Sequence, residues 1–271
     1  LWVTHSDSVT YYHASPGRNA EVVIDHFKQR TTEDEVFLVC DRYSAYKKLS
    51  KKLTWITLAF CWAHVRRDFL DAARSWPELK DWMLDWVEDI GSLYHINKQR
   101  LSCWDDSLIL QWQSTAFKSH HQALKNALDA IDDKRKTLLT QELKKPQKQV
   151  LDSLGNHWSG LTLFLDHPQI PMDNNTSEQK VRGPVTGRKI YYGSGSVWSA
   201  QFLTILLTLL KTIEAWEVNP HHWLDAYLNA CAENNASAPE DLSRFIPWEM
   251  SNEQLERFKL PKHSSIGIDS S

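Results

Sequence analysis

Five apolar residues run without a polar break from Val36 to Cys40 (VFLVC). A run so short, continuous and rich in β-branched and aromatic residues predicts a strand buried on both faces. Two shorter β-rich runs come first, Leu1–His5 and Val9–Ala14, joined by Ser6, Asp7 and Ser8, which predicts a hairpin with Asp7 in its turn. Pro16 and Gly17 end the second run. Asn19 then reads as the cap of a helix in which Val22, Val23, His26 and Phe27 fall at helical spacing. Beyond the central run, Tyr43, Tyr46 and Leu49 predict a short helix and Trp55–Cys61 another strand. Trp62–Trp76 reads as a helix with Val65, Phe69 and Ala72 on one face. The order hairpin, helix, strand, helix, strand, helix is a mixed α/β arrangement.

From Glu78 to about Leu165 the period is helical and β-branched residues are scarce. Trp82, Trp86, Ile90, Leu93 and Tyr94 keep the spacing, as do Phe117, Leu124, Leu128 and Ile131, then Leu138, Leu139, Leu143, Val150 and Leu154. This predicts an insertion of several long helices. Pro168 and Pro171 close it. Asn175 to Glu178 has capping-box spacing, so Glu178 has a plain structural use as the partner of the Asn175 backbone. Gly183-Pro184 is expected to break that helix, and a Gly/Ser loop, Gly193–Ser196, follows without the spacing of a phosphate loop. Trp198–Trp216 and His221–Cys231 predict two more helices. Asn234–Ser271 is polar and proline-containing and reads as a loosely held tail. The organisation expected is 1–77, first part of a core; 78–167, helical insertion; 168–232, last part of the core; 233–271, tail.

Composition alters this picture little: 271 residues, 42% hydrophobic, 24% charged, with a net charge of −3, is an ordinary globular balance. The distribution of charge says more. Asp41 to Arg74 holds eight Lys or Arg against three acids, and Gln179 to Lys211 holds five bases and no acid. A near-neutral total can therefore hide a basic face suited to nucleic acid, although solvated helix faces read the same way. Cys40, Cys61, Cys103 and Cys231 form no C-x-x-C pair, which speaks against a zinc site or a disulfide framework and for a reducing compartment. The longest apolar run, Phe202–Leu210, is short for a bilayer, and the first residues have no signal-peptide pattern, so a cytoplasmic protein without a membrane partner is expected.

The first chemical candidate is Asp41. A carboxylate at the carboxyl end of a central strand sits where open α/β sheets bind ligands, yet Asp in that place also caps a following helix. The motifs CDRYSAY, CWAHVRRDF and MDNNTSEQKVRGPVTGRK, with the Gly-Ser loop after them, resemble, in that order, the insertion-sequence-66 family of bacterial transposases. The resemblance implies an α/β, RNase H-like core with the large helical insertion before its last acid and a helical C-terminal part. It also implies DNA strand cleavage and transfer through three carboxylates with Mg²⁺ or Mn²⁺. Carried over by residue, Asp41 matches the second acid and Glu178 the third. His64, Arg66 and Arg67 stand ready for phosphates on one side and Arg182, Arg188 and Lys189 on the other, with surface ion pairs as the plain alternative.

The first acid of the pattern, expected on a strand before the hairpin, has no match; Asp7 lies in the turn. The core is therefore expected to be incomplete, the chain to be a truncated transposase inactive alone, and the hairpin and the strand Val36–Cys40 to flank an unfilled central position. The expected partners are transposon-end DNA and either further copies of the chain or an intact transposase. Two other readings stand beside this one: a non-catalytic DNA-binding or oligomerising remnant that interferes with intact transposase, and an unrelated α/β domain in which Asp41 and Glu178 are only caps.

Overall fold

The computed structural model describes residues 1–32, 34–108, 113–190 and 193–259. Their strands are β1 (Trp2–His5), β2 (Thr10–His13), β3 (Val36–Cys40) and β4 (Ile56–Phe60). Their α-helices are α1 (Ala20–Lys28), α2 (Ser44–Lys52), α3 (Trp62–Ser75), α4 (Lys80–Ser102), α5 (Thr115–Leu139), α6 (Lys145–Asn156), α7 (Trp158–Asp166), α8 (Asn175–Ile190), α9 (Val197–Ala215), α10 (Pro220–Glu233) and α11 (Asn252–Phe258). The fold is mixed but mostly helical. The strands form two two-stranded sheets, where an incomplete RNase H-like core was expected: β1 pairs with β2 antiparallel, and β3 with β4 parallel. No described strand joins the pairs, so each strand has one edge without a strand neighbour. The chain divides into two compact units, Gly17–Asn175 and Leu1–Pro16 with Thr176–Ser271.

In the larger unit α2 links two parallel strands in register, Val36 opposite Ile56 through Cys40 opposite Phe60, as parallel strands require a crossover. The apolar stripes of α3 to α7 close over them. Trp62, Phe69, Met83, Trp86, Leu93, Leu124, Leu151 and Leu154 are each fully buried in one cluster, with Phe69 and Trp86 stacked at 5.4 Å. Helix α7 lies directly on β4 at Gly160. A Cβ there would fall 2.7 Å from the Leu58 carbonyl oxygen, so only glycine allows the approach. Among the apolar side chains of this core sits Arg100, fully buried, donating to the carbonyls of Phe164 and Leu165 at 2.7 and 2.9 Å. It satisfies carbonyls that the end of α7 leaves without helical partners. Asn19 holds the cap position of α1, but its side chain makes no capping bond.

In the smaller unit the hairpin is sewn to α9. The backbone amides of Thr10 and Tyr12 donate to the hydroxyls of Thr212 and Thr208 at 3.2 and 3.0 Å, and the Trp216 indole donates to the Ser8 carbonyl at 2.9 Å. Two threonines one helical turn apart thus cover the outer edge of β2, in place of another strand.

Two expectations fail here. Helix α8 runs through Pro184 to Ile190 rather than ending at Gly183-Pro184. Proline removes the donor for the carbonyl four residues back, Lys180, and that oxygen instead accepts from the Tyr12 hydroxyl at 3.0 Å. The loosely held tail is not loose over its described part. Phe245 and Met250 are buried with Ile213, Val218, Trp223 and Ala230, and the Trp223 indole donates to the Phe245 carbonyl at 2.9 Å. The reason is that this polar segment still carries apolar residues enough to seal a small core; residues 260–271 lie outside the described residues.

Candidate functional site

The carboxyl ends of β3 and β4 meet the segment Met172–Asn174 in the larger unit. The Cys61 amide donates to the Cys40 carbonyl at 3.1 Å, the Trp62 amide to the Met172 carbonyl at 2.9 Å, and the Asn174 amide to the Cys61 sulfur at 3.5 Å. This end carries Asp41, directly after β3, and Asp173. The Asp41 Oδ1 accepts from the Tyr43 amide at 2.9 Å, so the local turn-forming use of Asp is present at this position. Around them several groups are held protonated. Burial, then Asp41, raises the Tyr46 phenol; burial, then Asp41 and Cys61, raises the Cys40 thiol; burial raises the Cys61 thiol, with Asp173 adding to it. These cysteines are thus poor nucleophiles.

Beside them lies a cleft of about 430 Å³ lined by Arg66, Arg67, Arg74, Tyr94, Asp173 and Asn175, among others. Arg66 and Arg67 are exposed on α3, and Arg74 pairs with Asp71 at 3.1 Å. Guanidiniums lining a cleft suit phosphate oxygens, which arginine binds with its planar fork. His64 is half-buried in the first turn of α3 and does not line the cleft. Nor does Asp41.

The remaining expected residues lie on α8, in the smaller unit. Glu178, Arg182 and Lys189 follow helical spacing along one stripe, with Arg188 adjacent. Arg182, Arg188 and Lys189 are exposed. Arg188 also lines an apolar groove of about 420 Å³ with Leu1, Pro184, Val197 and Leu203. Asn175 is the first residue of α8, and its amide donates to the Asp173 Oδ1 at 3.1 Å. Asp41 and Glu178 therefore belong to different units.

Divalent magnesium or manganese takes oxygen donors, and Asp41, Asp173 and Glu178 are of that kind. Among the described residues, however, no group of three or more His, Cys, Asp or Glu side chains gathers where an ion could be held.

Sequence reasoning passed over Asp173, Tyr94 and Arg74 as site residues. Asp173 could have been found as the carboxylate nearest the start of α8; Tyr94 carries no local signal, since its partner lies 79 residues away.

Residues 1–202 match the protein family described as "Transposase IS66 family", which has a DDE domain. The chain belongs to the IS66 family of transposases. Its relatives among curated proteins include three from Sinorhizobium fredii (strain NBRC 101917 / NGR234), each described only as an uncharacterized protein. The protein y4jD is 26% identical over 232 residues, 80% of this chain and 42% of y4jD. The protein y4hP is 25% identical over 256 residues, 88% of this chain and 43% of its own length. The protein y4qI is 25% identical over 276 residues, covering 92% of this chain and 46% of y4qI. This chain thus spans less than half the length of these relatives. No solved structure matches it.

Proposed function

We propose that this chain is part of the catalytic machinery of a DDE-type transposase, with an RNase H-like core completed outside the described residues. Asp41 and Glu178 are two of its metal-binding acids. Divalent metal, when bound, supplies the charge that activates an attacking oxygen and stabilises a leaving one. The observation that carries this reading is the IS66-family match over residues 1–202, which contains both acids. Asp41 directly after a parallel strand supports it. His64, Arg66 and Arg67, and on α8 Arg182, Arg188 and Lys189, contact phosphates of transposon-end DNA, which positions DNA without reading its sequence. The setting is the cytoplasm, with a further copy or an intact transposase as protein partner, and the chain by itself does not cleave.

The test is a chimera in which this chain replaces the matching region of a transposition-competent IS66 transposase. The chimera should transpose, and Asp41→Asn or Glu178→Gln should each lower transposition by at least about a hundredfold, since a reacting-centre group is removed. Unchanged transposition in both variants would refute the assignment. The second reading, a non-catalytic remnant that titrates DNA ends or intact transposase, is favoured by one observation: no three-carboxylate group gathers among the described residues. It expects a chimera that never transposes and a free chain that inhibits the intact enzyme, inhibition that Asp41→Asn leaves in place.

A further inference from the structure

Asp173 is held at both oxygens. Its Oδ2 accepts from the Tyr94 hydroxyl at 3.2 Å, and its Oδ1 accepts from the amide of Asn175 at 3.1 Å. Tyr94 sits on α4, 79 residues earlier in sequence, in the helical stretch that separates the two halves of the motif set. The residues on either side of Asp173 are tied elsewhere: the Met172 carbonyl accepts from the Trp62 amide, and the Asn174 amide donates to the Cys61 sulfur. Backbone bonds therefore pin this segment to the start of α3, and one side chain pins it to α4. Asn175 is both the first residue of α8 and the last of the larger unit. Glu178 follows three residues later on the same helix.

We infer that Tyr94 is a positioning residue, which through Asp173 holds the first turn of α8, the turn that carries Glu178. This rests on the reading of Glu178 as a reacting-centre acid. The geometry suits the task. A phenol has one proton to give, and a carboxylate that accepts it on one oxygen keeps the other for the Asn175 amide. Burial, then the Asp173 charge, raises the phenol, so it remains a donor over the whole working pH range. Tyr94, Asp173 and Asn175 also line the arginine cleft, so the same bond shapes the wall against which phosphates would lie. The helical stretch then does more than lengthen the chain: it contributes the side chain that holds the start of α8.

Tyr94→Phe removes only the hydroxyl and keeps the ring, so the core around α4 should survive. Two readouts are needed. Amide hydrogen exchange on the 271-residue chain should be about tenfold faster at Asn175 and the first hydrogen-bonded amides of α8, while amides of α4 and α5 keep their rates. In the chimera, kcat for strand cleavage should fall between about ten- and a hundredfold, as expected for a misaimed group, with KM for DNA unchanged because the arginines are intact. Asp173→Ala should reproduce both effects, and the double variant should be no worse than Asp173→Ala alone. Exchange that is unchanged at α8, or faster by one factor throughout the chain, would overturn the inference. So would a normal kcat in Tyr94→Phe where Glu178→Gln is inactive. If Glu178→Gln is itself fully active, the fault lies with the function reading, and the exchange result still decides whether Tyr94 holds the start of α8.

Discussion

Helices α4 and α9 have similar lengths, 23 and 19 residues, and opposite fates. In α4 seven residues are buried, among them Met83, Trp86, Ile90 and Leu93. In α9, the more apolar of the two by sequence, only Thr204, Thr212 and Ile213 are buried. Trp198 and Ile205 are 71% and 57% exposed, and Phe202 and Leu209 continue the same stripe at alternating spacings of four and three. Helix α9 is long and apolar enough to cross a membrane by length and composition alone, with 17% of that window buried. A helix apolar on all sides ordinarily belongs in a core. The lesson is that apolarity predicts burial only where a partner is present. For α4 the partners are α3 and α5 within its own unit. For α9 the best-made contacts are polar, from threonines to the backbone of β2.

The sharpest way to break this comparison is truncation in both places. Phe69→Ala, which removes a fully buried ring stacked on Trp86, should cost about 3–5 kcal/mol in urea unfolding followed on the larger unit. Phe202→Ala on α9 should change stability by no more than about 0.5 kcal/mol, as exposed positions do. Equal losses would mean that α9 is covered. Glycines offer a second contrast. Gly160→Ala drives a methyl into the Leu58 carbonyl and should cost about 1–3 kcal/mol. Gly91→Ala in α4 meets nothing within 4 Å and should stabilise by up to about 1 kcal/mol through helix propensity alone. Next come the polar contacts of α9: Thr208→Val and Thr212→Val should each cost about 1 kcal/mol and loosen the hairpin, read by hydrogen exchange at Tyr12 and Thr10.

The smallest effect is pH dependence. In the larger unit burial lowers both His157 and His121 from 6.5, the latter with help from Arg100; in the smaller unit burial lowers His5. A depressed histidine favours the neutral form in the fold. Its contribution is full above the unfolded value near 6.5 and is lost as pH falls from there through the lowered folded value. Thermal unfolding should therefore be flat above pH 7 and decline below 6.5, and His157→Gln should reduce the decline. A curve flat down to pH 5 would show that these rings are not held neutral.

Much of this was legible in the chain. The run Val36–Cys40 is β3 residue for residue, and the periods of α3 to α7 mark the helices that build the main core. What was illegible depends on partners far away in sequence. Proline 184 reads as a helix end because nothing local shows that Tyr12 will take the freed Lys180 carbonyl. Asn175 reads as a cap, yet it is the first residue of α8, and its amide donates to Asp173, a side chain bonded from α4. Arg100 carries no local signal for burial, yet its guanidinium closes the end of α7 inside the core. Asp41, by contrast, is visible from the strand before it; the plain alternative was a cap for the following helix, yet Tyr43 holds the cap position of α2 and Asp41 accepts from the Tyr43 amide in a turn.

The most direct test of the central claim asks whether Asp41 touches metal. In the transposing chimera Asp41 would be replaced by cysteine, and strand cleavage measured with Mg²⁺ and with the more thiophilic Mn²⁺. The account predicts loss of cleavage in Mg²⁺ and its recovery in Mn²⁺, a switch absent from the unsubstituted chimera. Equal activity in both metals, or none in either alongside an intact fold and DNA binding, would contradict the assignment of Asp41 as a metal ligand.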